Sequence, residues 1–167
     1  MKLLKLGLLS VAVLFGVILI ISLFIPSRIR ISRAVNMHAE PGSVLAKLDD
    51  LRQWKEWYPG FDTTSIQPVK EDGNRLVAGS VGNTTITITS TNNNRVQAEF
   101  RAADKNPVLC GWNILAGHAT DSLTLQWYFD FNMKWYPWEK FFSLAYDKMY
   151  GMQMESGLAA LKKNVER

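Results

Sequence analysis

His38 and His118 are the only histidines in the 167 residues, and Cys110 is the only cysteine. A histidine base needs a hydrogen-bonded partner that orients it. His38 falls at the end of an expected strand and His118 in an expected turn, neither inside a recognisable motif. Two histidines without a spaced carboxylate cluster make a poor metal site. One cysteine allows no intrachain disulfide and no cysteine-rich zinc site. Cys110 shares the apolar parity of its strand, where a thiol behaves as a small hydrophobe. Glu99, Arg101 and Asp130 fall on polar parities and read as a solvated face. No phosphate loop and no dinucleotide fingerprint is present, so no cofactor is expected. Asn83-Thr84-Thr85 fits a glycosylation sequon, a triplet common by chance. An enzyme would need a polar pair buried in an apolar cavity, with His38 or Asp130 turned inward for example. The sequence singles out no such pair, so a catalytic role is not expected.

A different chemistry has more support. Phe100, Trp112, Trp127 and Phe129 lie on the apolar parity of strands, and Met149 and Met152 share one helix face. With Trp57 they are the candidate lining of a pocket for a hydrophobic or amphipathic small molecule, such as a lipid, with adaptable methionine walls. Taken singly, each residue fits an ordinary core better than a pocket, and the pocket reading gains only from the group. Trp54, Trp57 and Tyr58 suit packing of short helices, a cavity mouth, or a bilayer interface, where Trp and Tyr are at home. Trp135, Tyr136 and Trp138 surround Pro137 and could cap a helix or form a lip facing a membrane. A third reading is a regulatory domain with a filled core that binds a protein through exposed aromatics.

These residues need elements to position them. Leu6 to Ile25 carries no charge, and about 20 helical residues span the roughly 30 Å of a bilayer core. Pro26 ends the run, and Arg28 and Arg30 follow. The run is long for a secretory signal and no A-x-A-like cleavage site follows it, so an uncleaved single-pass anchor is expected over 1–27. Lys2 and Lys5 on one flank balance Arg28, Arg30 and Arg33 on the other, and the lean is to a domain outside the cytoplasm. The chain has 19 basic and 15 acidic residues. Setting Lys2 and Lys5 aside leaves a nearly balanced remainder, which is no footprint of a nucleic-acid binder.

Residues 28–167 form one domain. Ile29, Ile31, Val35 and Met37 alternate as a strand, with Arg33 as the exception. Pro41 opens a short helix. Six short strands follow: Thr64–Val69, limited to an edge by Pro68, then Arg75–Val81, Thr84–Thr91, a strand around Val96–Arg101, Val108–Ile114 and Leu123–Phe131. Turns are expected at Asp72-Gly73-Asn74, Gly82-Asn83, Asn92-Asn93-Asn94 (Asn tolerating left-handed angles) and Gly117–Asp121. Connections this short favour an antiparallel meander. From Glu139 to Val165 the period becomes helical, with one stripe at Phe142, Ala145, Met149 and Met152 and another at Met154, Leu158, Leu161 and Val165. Gly151 and Gly157 inside it predict a close backbone approach or a bend.

Three stretches carry a resemblance. They are Val35-Asn36-Met37-His38-Ala39-Glu40-Pro41 with Leu48-Asp49-Asp50-Leu51 and Trp54-Lys55-Glu56-Trp57-Tyr58-Pro59; Leu123-Thr124-Leu125-Gln126-Trp127; and Pro137-Trp138-Glu139-Lys140 leading to Glu155-Ser156-Gly157-Leu158, Leu161-Lys162-Lys163 and Glu166. Their order resembles bacterial membrane-anchored SRPBCC proteins, the polyketide cyclase/dehydrase type of the START and Bet v 1-like superfamily. The resemblance implies an α+β helix-grip fold, a curved antiparallel sheet of about seven strands wrapped on a long C-terminal helix. It also implies a cavity between sheet and helix. Gly73, Gly79 and Gly82 are scattered and form no glycine-rich loop of the kind some relatives have.

Overall fold

The computed structural model describes residues 2–103, 105–117 and 122–166. Helix α1 (Lys2–Phe24) leads, and Pro26 stands where it has ended. Leu4–Phe24 is long and apolar enough to cross a membrane, and the rest of the protein covers almost none of it. Strand β1 (Arg28–Met37) follows, then α2 (Pro41–Leu48), which starts on its proline, and a 3₁₀ turn over Gln53–Glu56. Six strands come next: β2 (Gln67–Asp72), β3 (Arg75–Val81), β4 (Thr84–Asn92), β5 (Arg95–Ala102), β6 (Val108–Ala116) and β7 (Leu123–Asn132). Two helices close the chain, α3 (Pro137–Ser143) and α4 (Tyr146–Val165).

All pairings are antiparallel, in the order β1-β7-β6-β5-β4-β3-β2. The meander runs from β2 to β7, and β1 returns to close the far edge. The short hairpins follow from their turn residues. Gly73 and Gly82 adopt positive φ, the conformation a two-residue loop asks of its glycine. The expected left-handed Asn at 92–94 is not used, because no described residue other than glycine has positive φ. Instead the Asn94 amide donates to Asn92 Oδ1 at 3.2 Å, so a side chain closes that turn. The strand expected at Thr64–Val69 lies further on, at Gln67–Asp72, and is fully exposed at the sheet edge with Pro68 beside a register shift. Most of the turn expected at Gly117–Asp121, including His118, lies outside the described residues.

The buried parity matches the alternation. Ile31, Ile86, Val96, Ala98, Cys110, Trp112, Leu125, Trp127 and Phe129 turn to one face. Trp112 stands opposite Trp127 in the β6–β7 register, and such cross-strand aromatic pairs stabilise a sheet. Helix α4 covers this face with Met154, Leu158 and Leu161 and runs along β1. That also shields an edge strand. Arg33, the odd residue of β1, reaches across to α4, its Nε donating to Glu155 at 2.8 Å and Nη1 to Asp147 at 3.0 Å.

The closing helix is not continuous. At Leu144 and Ala145 the hydrogen bonds tighten to the third residue back, at 3.2 and 3.0 Å, and α3 gives way to α4. Of the two expected stripes, Met154, Leu158 and Leu161 are buried, while Phe142, Met149 and Met152 point outward.

Candidate functional site

The centre of the concave face is filled. Trp54 and Trp57 fold back on α2, their indole nitrogens donating to the carbonyls of Leu48 (2.9 Å) and Lys47 (3.0 Å). These are terminal carbonyls of a short helix, which lack partners within it. Neither indole is available to a membrane, because both are buried. Trp57 meets Trp112 and Trp127 edge-on at 5.9 and 5.8 Å, and Trp112 stacks on Trp127 at 5.6 Å. Such offset and edge geometries are the favoured aromatic ones. The indole N–H groups of Trp112 and Trp127 have no hydrogen-bond partner.

Of the residues expected to line a pocket, Trp57, Trp112, Trp127 and Phe129 therefore come together as packed core, with Phe100 beside them. Met149 and Met152 do not join them: they are 49% and 63% exposed. The reason is geometric. Gly157 brings α4 against Trp127 and Pro59 on the helix face that also carries Met154, Leu158 and Leu161, and the other stripe is turned away.

Among the described residues, an open space beside these packed rings lies at one end of the sheet. A cavity of about 410 Å³ sits between the ends of β5, β6 and β7 and the first turns of α4. Phe100, Val108, Phe131, Tyr146 and Tyr150 line it. Phe131 lies 4.9 Å from Tyr146 and 4.8 Å from Tyr150 between ring centres, and Phe129 stands behind at 5.7 Å from Tyr150. Only Phe100 was singled out from the sequence. Tyr146 and Tyr150, four residues apart on one helix face, carried a signal that could have found them. Burial raises the pKa of Tyr150, so its phenol stays protonated.

The mouth is polar. Lys105, Asn106, Lys134 and Glu139 edge it. Glu139 accepts the Lys134 backbone amide at 2.7 Å, which pins the loop entering α3. Among the described residues no ion pair engages the ammonium of Lys105 or Lys134. A space of this size, with an aromatic wall of Phe100, Phe131, Tyr146 and Tyr150 and an equal share of polar lining from residues such as Thr84, Asn106, Asn132 and Lys134, is within the range of small-molecule sites.

The nucleophile and base candidates lie elsewhere. Asp130 faces the convex side of the sheet, bound bidentately by Arg30 at 2.6 and 2.6 Å. His38 is exposed, and its backbone amide donates to Glu166. Cys110 is buried, and burial pushes its thiol well above the ordinary range, which keeps it unreactive. No group of three or more His, Cys, Asp or Glu able to hold a metal occurs among the described residues.

The family model described as polyketide cyclase/dehydrase and lipid transport matches residues 28–166. No curated protein matches the chain. Among solved structures, a START superfamily protein from Mycobacterium smegmatis is similar over 82% of this chain and 97% of its own, at 16% identity and a TM-score of 0.59. A hypothetical protein from Helicobacter pylori aligns over 82% of this chain and 88% of its own, at 12% identity and a TM-score of 0.61. The di-domain ARO/CYC protein BexL of the BE-7585A biosynthetic pathway aligns over 84% of this chain and 51% of its own, at 11% identity and a TM-score of 0.60. Identities this low speak to fold alone, and the fold is START-like. Together with the match across the whole folded domain, this makes the chain a member of the polyketide cyclase/dehydrase and lipid transport family.

Proposed function

We propose that the protein is a membrane-anchored binding domain for an amphipathic small molecule, a lipid with an anionic head being the best fit. The cavity walled by Phe100, Phe131, Tyr146 and Tyr150 carries the reading. Burying an alkyl chain there gains about 25 cal/mol for each Å² of apolar area removed from water. Lys105 and Lys134 at the mouth suit a carboxylate or phosphate. In this reading α1 is retained as an anchor. Its support is a joint between α1 and the domain: Lys140 Nζ donates to the Ser22 carbonyl at 3.1 Å, a contact that cleavage of α1 would remove. The domain is placed outside the cytoplasm in this reading, independently of that contact, as a topology that the balanced flanking charges permit.

The test compares full-length protein with its Val108→Trp variant, in which an indole fills the cavity. Both are purified in one detergent, and bound molecules are identified by native mass spectrometry and solvent extraction. One amphiphile per chain, lost in the variant, is the expected result. Identical extracts from the two proteins would overturn the reading.

A further inference from the structure

Helix α3 has its polarity reversed. On a helix of a water-soluble domain the apolar stripe faces the core and the polar face meets water. Here the covered residues are Pro137, Lys140 and Ser143, the last two 6% and 3% exposed, whereas Trp138 and Phe142, and Leu144 just after the helix, are 62%, 61% and 67% exposed. Trp135, just before the helix, is 71% exposed. Single exposed apolar residues are ordinary, but a continuous patch of large ones is not.

The covered face of α3 meets α1. Lys140 reaches the carbonyl of Ser22, and Ser22 and Ser143 are themselves buried. Small side chains let the two helices approach, and the lysine ammonium donates to the Ser22 carbonyl, which also accepts the Ile25 amide, at the end of the helix dipole that favours a cation. Ser22 lies two residues before the end of α1, about 3 Å along the axis at roughly 1.5 Å per residue. If α1 spans a bilayer, that level is the boundary between hydrocarbon and headgroups. Tryptophan is enriched at that boundary because its ring is apolar and its N–H is polar.

We propose that α3, with Trp135 ahead of it, lies embedded in the interface of the membrane that α1 crosses, its exposed aromatic face against lipid. This rests on the reading of α1 as a retained anchor. It deepens the proposed function, because Lys134 and Glu139 at the cavity mouth flank the start of α3. The mouth then opens at the membrane surface, and the ligand passes between cavity and bilayer without crossing water. The substrate class is accordingly a membrane-resident amphiphile.

The test places one environment-sensitive dye per protein by Phe142→Cys, Leu14→Cys or Val69→Cys in the full-length chain. Buried Cys110 stays unlabelled. The proteins are reconstituted in phosphatidylcholine/phosphatidylglycerol vesicles and challenged with nitroxide-labelled lipid and with aqueous iodide. The expected result is loss of fluorescence to lipid nitroxide at 14 and at 142, with iodide quenching only at 69. Lipid quenching at 14 with iodide quenching at 142 would overturn the embedding of α3 and leave the anchor standing. Protection of 142 from both quenchers would overturn it too, since protein would then cover the face. Iodide quenching at 14 would overturn the anchor and this proposal together.

Discussion

The backbone of α4 at Gly157 lies against the indole of Trp127: a Cβ placed there would be 2.9 Å from Trp127 Cζ3 and 2.9 Å from Pro59 Cδ. Neither neighbour is a flexible chain end. Trp127 is packed between Trp57 and Trp112, and Pro59 follows the tryptophan-bearing turn. In an exposed helix interior, Gly→Ala stabilises by about 1 kcal/mol. At this site Gly157→Ala is expected to destabilise, by about 1–3 kcal/mol as for an overpacked core. Urea melts of the two proteins decide the sign.

The paired and unpaired indoles give a second comparison. Trp54→Phe removes the donor to a buried carbonyl of Leu48, whereas Trp112→Phe removes an N–H that bonds nothing. Both indoles are fully buried, so the lost volume is alike. Trp54→Phe is expected to cost about 1–3 kcal/mol more, the usual consequence of an unsatisfied buried polar group. Equal losses would show that the Leu48 carbonyl finds another partner.

Arg33 lies over Gly151 between Asp147 and Glu155, four residues to either side on α4. Its guanidinium pKa is raised, first by its hydrogen bonds to Asp147 and Glu155. The carboxylates are exposed, so solvent screens the pairs. Arg33→Met, which keeps the apolar stem, is expected to cost about 1 kcal/mol or less. The cost should shrink at high salt. A loss that salt does not change would point to packing in place of charge.

High pH should unfold the domain. Burial raises the pKa of Tyr58 and Cys110 well above 10.0 and 9.0, their ordinary values. A folded-state pKa above the unfolded one means that the unfolded chain loses its proton first. The stability from these neutral groups is whole below the unfolded value and falls as pH climbs toward the folded one. Melting temperature should be level through neutral pH and drop above about 9. The drop should be blunted in Cys110→Ala and in Tyr58→Phe. An unchanged alkaline profile in both would refute the assignment.

The mouth lysines should sort ligands by charge. Lys105→Gln with Lys134→Gln is expected to weaken an anionic fluorescent amphiphile several-fold and leave a neutral one of equal chain length unaffected. Titration of both probes in detergent measures the difference. Equal weakening would place the head group elsewhere.

Much of the architecture was readable without coordinates. Alternation of apolar residues predicted β1 and β4 to β7 and their buried parities, because a strand's period of two is a local property, while β3 was expected from the turn signals that bound it. The apolar stretch before Pro26, the proline opening α2 and the glycines at 73 and 82 were equally local. Gly151 and Gly157 pointed to a close approach or a bend, and the structure shows an approach, to the Arg33 guanidinium at Gly151 and to Trp127 with Pro59 at Gly157.

The position of the empty space was decided only by tertiary structure. The α4 sequence offers two apolar stripes, and periodicity treats them alike. Which one meets the sheet depends on where the backbone can come closest, and the approach at Gly157 to Trp127 and Pro59 is on the face of Met154, Leu158 and Leu161. Met149 and Met152 are then carried outward. Likewise Trp57, Trp112 and Trp127 fill the middle of the grip, since rings from three different elements converge there, and the cavity is left at the end lined by Phe131, Tyr146 and Tyr150. The outward face of α3 belongs to the same class of fact: its aromatic content is plain in the sequence, but only its joint with α1 shows which side is covered. Secondary structure follows from neighbours along the chain, whereas a void is the remainder after all side chains have been packed.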